Sequence, residues 1–222
     1  MTLRKSFAVL FDMDGVIVDS NPWHRIALQD FCRQHGFSLS DEDLRDRIYG
    51  RTNREWLTNL FGQSDPHDLV RWADEKETLY RKLYEHDIRP VNGLVDFLNH
   101  LNEHGIDRAI GTSAPPANVD FTLGKTGLRN YFEVILDETF VSRGKPDPEI
   151  YLKSAAALGY DPARCIVIED SLSGIAAGKA AGAKVIGITT THTPDELRMA
   201  DLVIGDFNGL TAETLHTLIH DN

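Results

Sequence analysis

The sequence predicts an α/β fold built on a mainly parallel sheet, with an all-helical segment inserted after the first strand. Three observations predict it. Short apolar runs rich in β-branched and aromatic residues recur along the chain without the alternation of a half-exposed strand. Helical patterns separate most of these runs, as right-handed crossovers between parallel strands require. One long stretch, residues 21–89, carries helical spacing and no strand pattern.

Residues 7–11 form the first buried strand and end at Asp12. In the inserted stretch, Ala27, Leu28, Phe31 and Cys32 recur at helical spacing. Trp56, Leu57, Leu60 and Phe61 repeat the pattern, as do Leu69, Trp72, Leu79 and Leu83. Gly36, Gly50 and residues 62–66 punctuate these helices. The chain re-enters the core near residues 90–93, which predicts an α/β core domain from residues 1–17 and 90–222 and a helical domain over 18–89. Helices are predicted over 94–104, 117–125, 149–158 and 174–181, and strands over 108–111, 133–136, 165–168, 185–188 and, more weakly, 202–204. Gly174, Gly178 and Gly182 stand four apart in a run too short and too polar to span a membrane. Their small size predicts a helix pressed closely on the sheet.

Composition narrows the function. A chain of 222 residues with 41% apolar and 26% charged residues can bury one substantial α/β core with an insert. The formal charge of −11 argues against a nucleic-acid or anionic-membrane partner, where a basic patch supplies the attraction. A small anionic substrate stays compatible, because a few backbone amides and one lysine reverse the field inside a pocket. Cys32 and Cys165 are expected as reduced, buried thiols, and the apolar run 7–11 is too short for a signal peptide, so the expected location is the cytoplasm.

Ligands of parallel α/β sheets bind beyond the carboxyl ends of the strands. There the sequence places Asp12, Asp14, Asp19 and Ser20 after the first strand and Thr112 and Ser113 after the second. It adds Lys145, in the loop before helix 149–158, and Glu169 and Asp170 after strand 165–168. Carboxylates crowded in this way repel one another, and a hard divalent cation with oxygen ligands, magnesium above all, relieves the repulsion. A carboxylate also serves as a nucleophile that forms an acyl phosphate. Thr112, the amide of Ser113 and Lys145 are donors suited to phosphate oxygens. Asp14 is placed to protonate a leaving oxygen and then deprotonate the incoming one, a role worth ~10²–10⁴ in rate. Gly15 lets the chain turn sharply beside it.

In these residues the chain resembles the haloacid dehalogenase superfamily. The run Asp-x-Asp-Gly-Val-x-x-Asp-Ser from Asp12 to Ser20 looks like its first motif, Thr112 its second, Lys145 its third and Glu169-Asp170 its fourth. The resemblance extends over essentially the whole chain, nearest the β-phosphoglucomutase and sugar-phosphatase subgroup. It implies a Rossmann-like core with a four-helix cap, and magnesium as cofactor. It further implies Asp12 as nucleophile and metal ligand, and Asp14 as acid/base with its backbone carbonyl on the metal. Asp170 becomes a metal ligand, and Glu169 a ligand or a partner of the ligands. In the cap, the resemblance suggests His24 as a residue that contacts or positions the acid/base aspartate. It places Gly50, Arg51, Thr52 and Arg54 in a substrate-recognition loop. The ordinary readings are a helix-surface histidine and helix-start residues. Lys76, in the charged run 74–77, is expected on a solvated face.

The expected function is magnesium-dependent hydrolysis of a small phosphorylated metabolite. The alternative is a phosphomutase, which needs a cap cation for a second phosphate; the candidates are Arg51, Arg54 and Lys76. The subgroup's cap arginine aligns nearer Asn53 than Arg54, which favours the phosphatase. A phospho-accepting receiver domain fits less well, because receivers lack a large helical insert.

Overall fold

Six short apolar runs lie side by side as one sheet in a computed structural model that describes residues 6–40, 42–44 and 53–220, the side chain of Arg54 apart. The strands are β1 (Ala8–Phe11), β2 (Asp107–Gly111), β3 (Val134–Leu136), β4 (Cys165–Glu169), β5 (Lys184–Ile188) and β6 (Leu202–Ile204). Their order is β3-β2-β1-β4-β5-β6, and each neighbouring pair is parallel. This is the Rossmann-like order, in which the direction of strand addition reverses beside β1 and opens a crevice at the carboxyl ends. β1 and β4 are buried along their whole length, which is why their sequences lack alternation.

The chain divides into two compact units, Met1–Asp19 with Ile88–Asn222 and Ser20–Asp87. In the first, the sheet is joined by α4 (Leu94–Glu103), α5 (Pro116–Thr126), α6 (Glu149–Leu158), α7 (Leu172–Ala180) and α8 (Ala212–His220). Leu10, Tyr151, Val167, Ile175, Val185 and Leu197 share one buried cluster. Each such side chain contributes about 1.5–3 kcal/mol through removal from water. Helix α7 starts at Leu172, ahead of the expected residue 174, because Ser171 caps it by accepting the Gly174 amide at 3.0 Å. A methyl group on Gly178 would stand 2.9 Å from Val185 and 3.2 Å from Val167, so this glycine lets α7 rest on β4 and β5. β4 extends one residue further than expected, and Glu169 ends the strand in register with Gly187.

The second unit is helical: α1 (Asn21–Gln34), α2 (Asn53–Phe61) and α3 (Pro66–Tyr84). Leu28, Phe31, Trp56, Leu57 and Leu60 form its core, and Phe61 stacks on Trp72 at 3.9 Å. Asp65 caps α3 by accepting the His67 amide. Lys76 departs from expectation: it is 8% exposed and Glu77 6%. Both stand one turn before the buried Tyr80, on the side of α3 that meets His24 of α1. Among the described residues, Cys32 and Cys165 are buried thiols outside any disulfide, and no helix is long and apolar enough to cross a membrane.

Candidate active site

The crevice beside β1 is lined from four loops. β1 hands over to Asp12, whose amide donates to the Ile168 carbonyl of β4 at 3.0 Å and carries the pairing one step past the strand. The chain then turns back. Gly15 adopts φ 75°, a region that favours glycine, and its amide donates to the Val18 carbonyl at 2.8 Å. Thr190, beyond β5, pins this turn by donating to the Gly15 carbonyl at 2.6 Å. Asp14 lies half-buried on it.

After β2, the Thr112 amide donates to the Leu136 carbonyl at 3.0 Å. The Thr112 hydroxyl oxygen accepts the Ala114 amide at 3.1 Å, which leaves the hydroxyl proton to be donated. Ser113 is exposed on the same loop. Lys145 comes from a loop tied to the first turn of α6. Glu149 Oε2 accepts the amides of Ser142 and Arg143 at 2.9 and 3.0 Å, and Oε1 takes Lys153 at 2.7 Å. The Lys153 bond first, then those from Ser142 and Arg143, hold the half-buried Glu149 carboxyl down at about 2.

At the centre, Lys145 Nζ stands 2.6 Å from Glu169 Oε1 and 3.0 Å from Asp12 Oδ1. The second contact is an ion pair without hydrogen-bond angles, so Asp12 Oδ1 is buried with no hydrogen-bond partner among the described residues. Glu169 is saturated. Its Oε1 also accepts the Tyr151 hydroxyl at 2.7 Å, and its Oε2 accepts the Asp170 and Ser171 amides at 3.1 Å each and the Ser171 hydroxyl at 2.9 Å. Asp170 accepts the Thr191 hydroxyl.

The charges are unequal. Burial pushes the Asp12 carboxyl well above its usual range; Glu169, Asp170 and Asp14 push the same way, and Lys145 opposes them. Burial and then the Glu169 charge lift Asp170 to about 7, against the Thr191 bond and Lys145. Burial also works against Glu169, but Lys145 and the hydrogen bonds outweigh it and hold that carboxyl below its ordinary value. Burial disfavours the Lys145 ammonium too, yet Asp12 and Glu169 raise its pKa above the ordinary lysine value.

One oxygen from each of Asp12, Glu169 and Asp170 falls within 4.8 Å of the others. An all-oxygen set of buried carboxylates this close together fits a hard divalent cation such as magnesium. Within the set, both oxygens of Glu169 are engaged, and one of them anchors Lys145. Of the residues singled out in the sequence, the structure thus gathers Asp12, Lys145, Glu169 and Asp170. Thr112 and Ser113 follow β2, the strand paired with β1. His24 lies in the helical unit, where its Nδ1 is 3.0 Å from Lys76 Nζ and its ring stacks on Tyr80 at 3.7 Å. Gly50, Arg51, Thr52 and the Arg54 side chain lie outside the described residues.

A model of the haloacid dehalogenase-like hydrolases matches residues 9–188. The chain belongs to this family. Hexitol phosphatase A of Escherichia coli is 33% identical over 91% of this chain and 92% of its own. The β-phosphoglucomutase of Bacillus subtilis is 32% identical over 94% of this chain and 93% of its own. Among solved structures, a family IA, variant 3 HAD hydrolase from Entamoeba histolytica superposes with a TM-score of 0.89 at 33% identity. The match covers 97% of this chain and all, 100%, of that one. As a haloacid dehalogenase-like hydrolase with such relatives, the chain is a phosphoryl-transfer enzyme.

Five residues of this hydrolase's site escaped the sequence reading: Tyr151, Ser171, Gly174, Thr190 and Thr191. Ser171 carried a local signal, a hydroxyl residue just ahead of a helix. Gly174 was visible as a member of a small-residue stripe, with no sign of the carboxylate it admits. Tyr151 and the two threonines gave none, because their partners are set by packing and not by spacing.

Proposed function

We propose that the enzyme is a magnesium-dependent phosphatase acting on a small phosphomonoester, in the first place a sugar phosphate, through a phosphoryl group carried on Asp12. The carrying observation is the Asp12 carboxylate. It is buried beside the point where strand order reverses, and its Oδ1 stands 3.0 Å from a lysine that Glu169 anchors. In this reading an Asp12 oxygen attacks phosphorus while Asp14 protonates the departing alcohol oxygen. Asp14 then takes a proton from water as that water attacks phosphorus, which frees phosphate and restores Asp12. Lys145 and Thr112 face the equatorial oxygens, where one well-placed donor is worth about 2.7–4 kcal/mol. Magnesium, held by Asp12, Asp170 and the Asp14 carbonyl, supplies charge neutralisation when bound. The helical unit is proposed as the cap that selects the substrate.

The hexitol phosphatase relative supports hydrolysis. The β-phosphoglucomutase relative supports a second reading, in which the same Asp12 returns the phosphoryl group to another hydroxyl of the sugar. A panel of sugar phosphates, assayed with magnesium or with excess chelator for both free phosphate and isomerised product, separates them. Phosphate without isomer is the expected result. Isomer without net phosphate moves the assignment to the mutase, and full turnover in chelator removes the metal from it.

A further inference from the structure

Behind Lys145 stands a second layer of buried groups that engage Glu169. Tyr151, on the first turn of α6, is 0% exposed and donates its hydroxyl to Glu169 Oε1 at 2.7 Å. That oxygen is the one that takes Lys145 at 2.6 Å. The Tyr151 ring also lies beneath the ammonium, with Nζ 4.9 Å from its centroid, so a single side chain contacts both partners of the ion pair. From the opposite element, the Glu169 carboxylate rests directly on the α-carbon of Gly174. A methyl group there would fall 1.7 Å from Oε1 and 1.8 Å from the carboxylate carbon, a space no shift of a few tenths of an ångström recovers.

These contacts have a common consequence. A lysine ends a flexible four-carbon stem, so its ammonium is a fixed electrostatic donor only if something holds it. Glu169 holds it, and Glu169 has no freedom of its own. Tyr151 grips the Lys145-bound oxygen, Ser171 and the Asp170 amide grip the other, and Gly174 admits the carboxylate into the gap. The geometry points to Tyr151 and Gly174 as positioning residues that act through Glu169 to set where the Lys145 ammonium stands beside Asp12. The inference rests on the reading of Asp12 as the phosphoryl acceptor.

The test uses the full-length enzyme with magnesium and p-nitrophenyl phosphate, with binding of inorganic phosphate followed by calorimetry. Tyr151→Phe keeps the ring and removes the hydroxyl. It is expected to lower kcat about 10-fold, the lower end of losses for groups that orient a site from behind, with KM within about twofold. Phosphate affinity should fall in parallel. In a Lys145→Ala background the same change should cost less than about twofold, because the group being positioned is gone. Losses that multiply across the two backgrounds, or a Tyr151→Phe enzyme with wild-type rate and phosphate affinity, overturn the proposal. Gly174→Ala is expected to lose about 100-fold or to misfold. Adding Glu169→Asp, which draws the carboxylate back by one methylene, should restore folding and at least about fivefold of the rate; no restoration overturns the role of Gly174. Asp12→Asn serves as the control. Turnover by that variant defeats the phosphoryl-acceptor reading itself, whereas a dead Asp12→Asn beside an unaffected Tyr151→Phe defeats only the positioning inference.

Discussion

Each unit of this protein buries a charged cluster, and the two are built on different terms. In the helical unit, Lys76 Nζ lies 2.9 Å from Glu77 Oε1 and 3.0 Å from His24, whose ring stacks on Tyr80. Among the described residues, the ammonium of Lys76 meets the carboxylate of Glu77. In the α/β unit, Asp12 and Glu169 meet the ammonium of Lys145, and an oxygen of Asp170 lies within 4.8 Å of theirs. A buried pair in the first style is close to neutral for stability and fixes how two helices meet. The second style crowds carboxylates in a buried crevice, and burial first, then their mutual repulsion, raises the carboxyls of Asp12 and Asp170. Surplus charge of one sign in a buried crevice marks a place meant for a ligand of the other sign.

The contrast can be broken by experiment, most sharply at Asp12. Asp12→Asn should lose about 10³-fold or more of phosphate-releasing activity while circular dichroism stays native. Its metal-free melting temperature should hold or rise, since a repelled buried carboxylate is replaced by a neutral isostere; near-normal turnover would end the case for Asp12. In the helical unit the expectation is reversed. Glu77→Leu should cost about 3–5 kcal/mol in denaturant melts by stranding the Lys76 ammonium, and adding Lys76→Met should recover most of the loss. Simple addition of the two losses would show that the pair is not balanced.

Magnesium sharpens the comparison further. At about 100 times its Kd it should stabilise the wild type by about 2.7 kcal/mol and leave the Asp12→Asn/Asp170→Asn double variant unmoved. Equal shifts in both proteins would place the ion elsewhere. The smallest effect is expected at Glu149, which ties the Lys145 loop to α6. Its carboxyl is depressed from 4.5 to about 2, so its contribution is complete above pH 4.5 and fades as pH falls toward 2. Melting temperatures followed down that window should decline less steeply in Glu149→Gln, and parallel declines would remove Glu149 from the account.

Much of this was legible along the chain. The strands showed themselves as β-branched runs lacking alternation because both faces of the sheet are covered. The acidic loop from Asp12 to Asp19 stood out because turn chemistry is local. Lys76 was misread for a related reason: a charged run on a helix looks solvated until another helix brings a histidine to it from 52 residues away. Glu169 was recognised as an acid of the site. Its saturation by Lys145, Tyr151 and Ser171 was not legible, because those donors reach it from different elements.

The sequence by itself determined the six strands, where each but β4 ends, most of the helices though not α8, and which polar residues wait at the strand ends, since periodicity, capping and turn preference act over a few neighbouring residues. The tertiary structure alone decided that β4 lies beside β1, that Lys145 bridges Asp12 and Glu169, and that Gly174 makes room for the carboxylate between them. Those outcomes depend on strand order and close packing across distant parts of the chain, where the position of one side chain is set by all the others it touches.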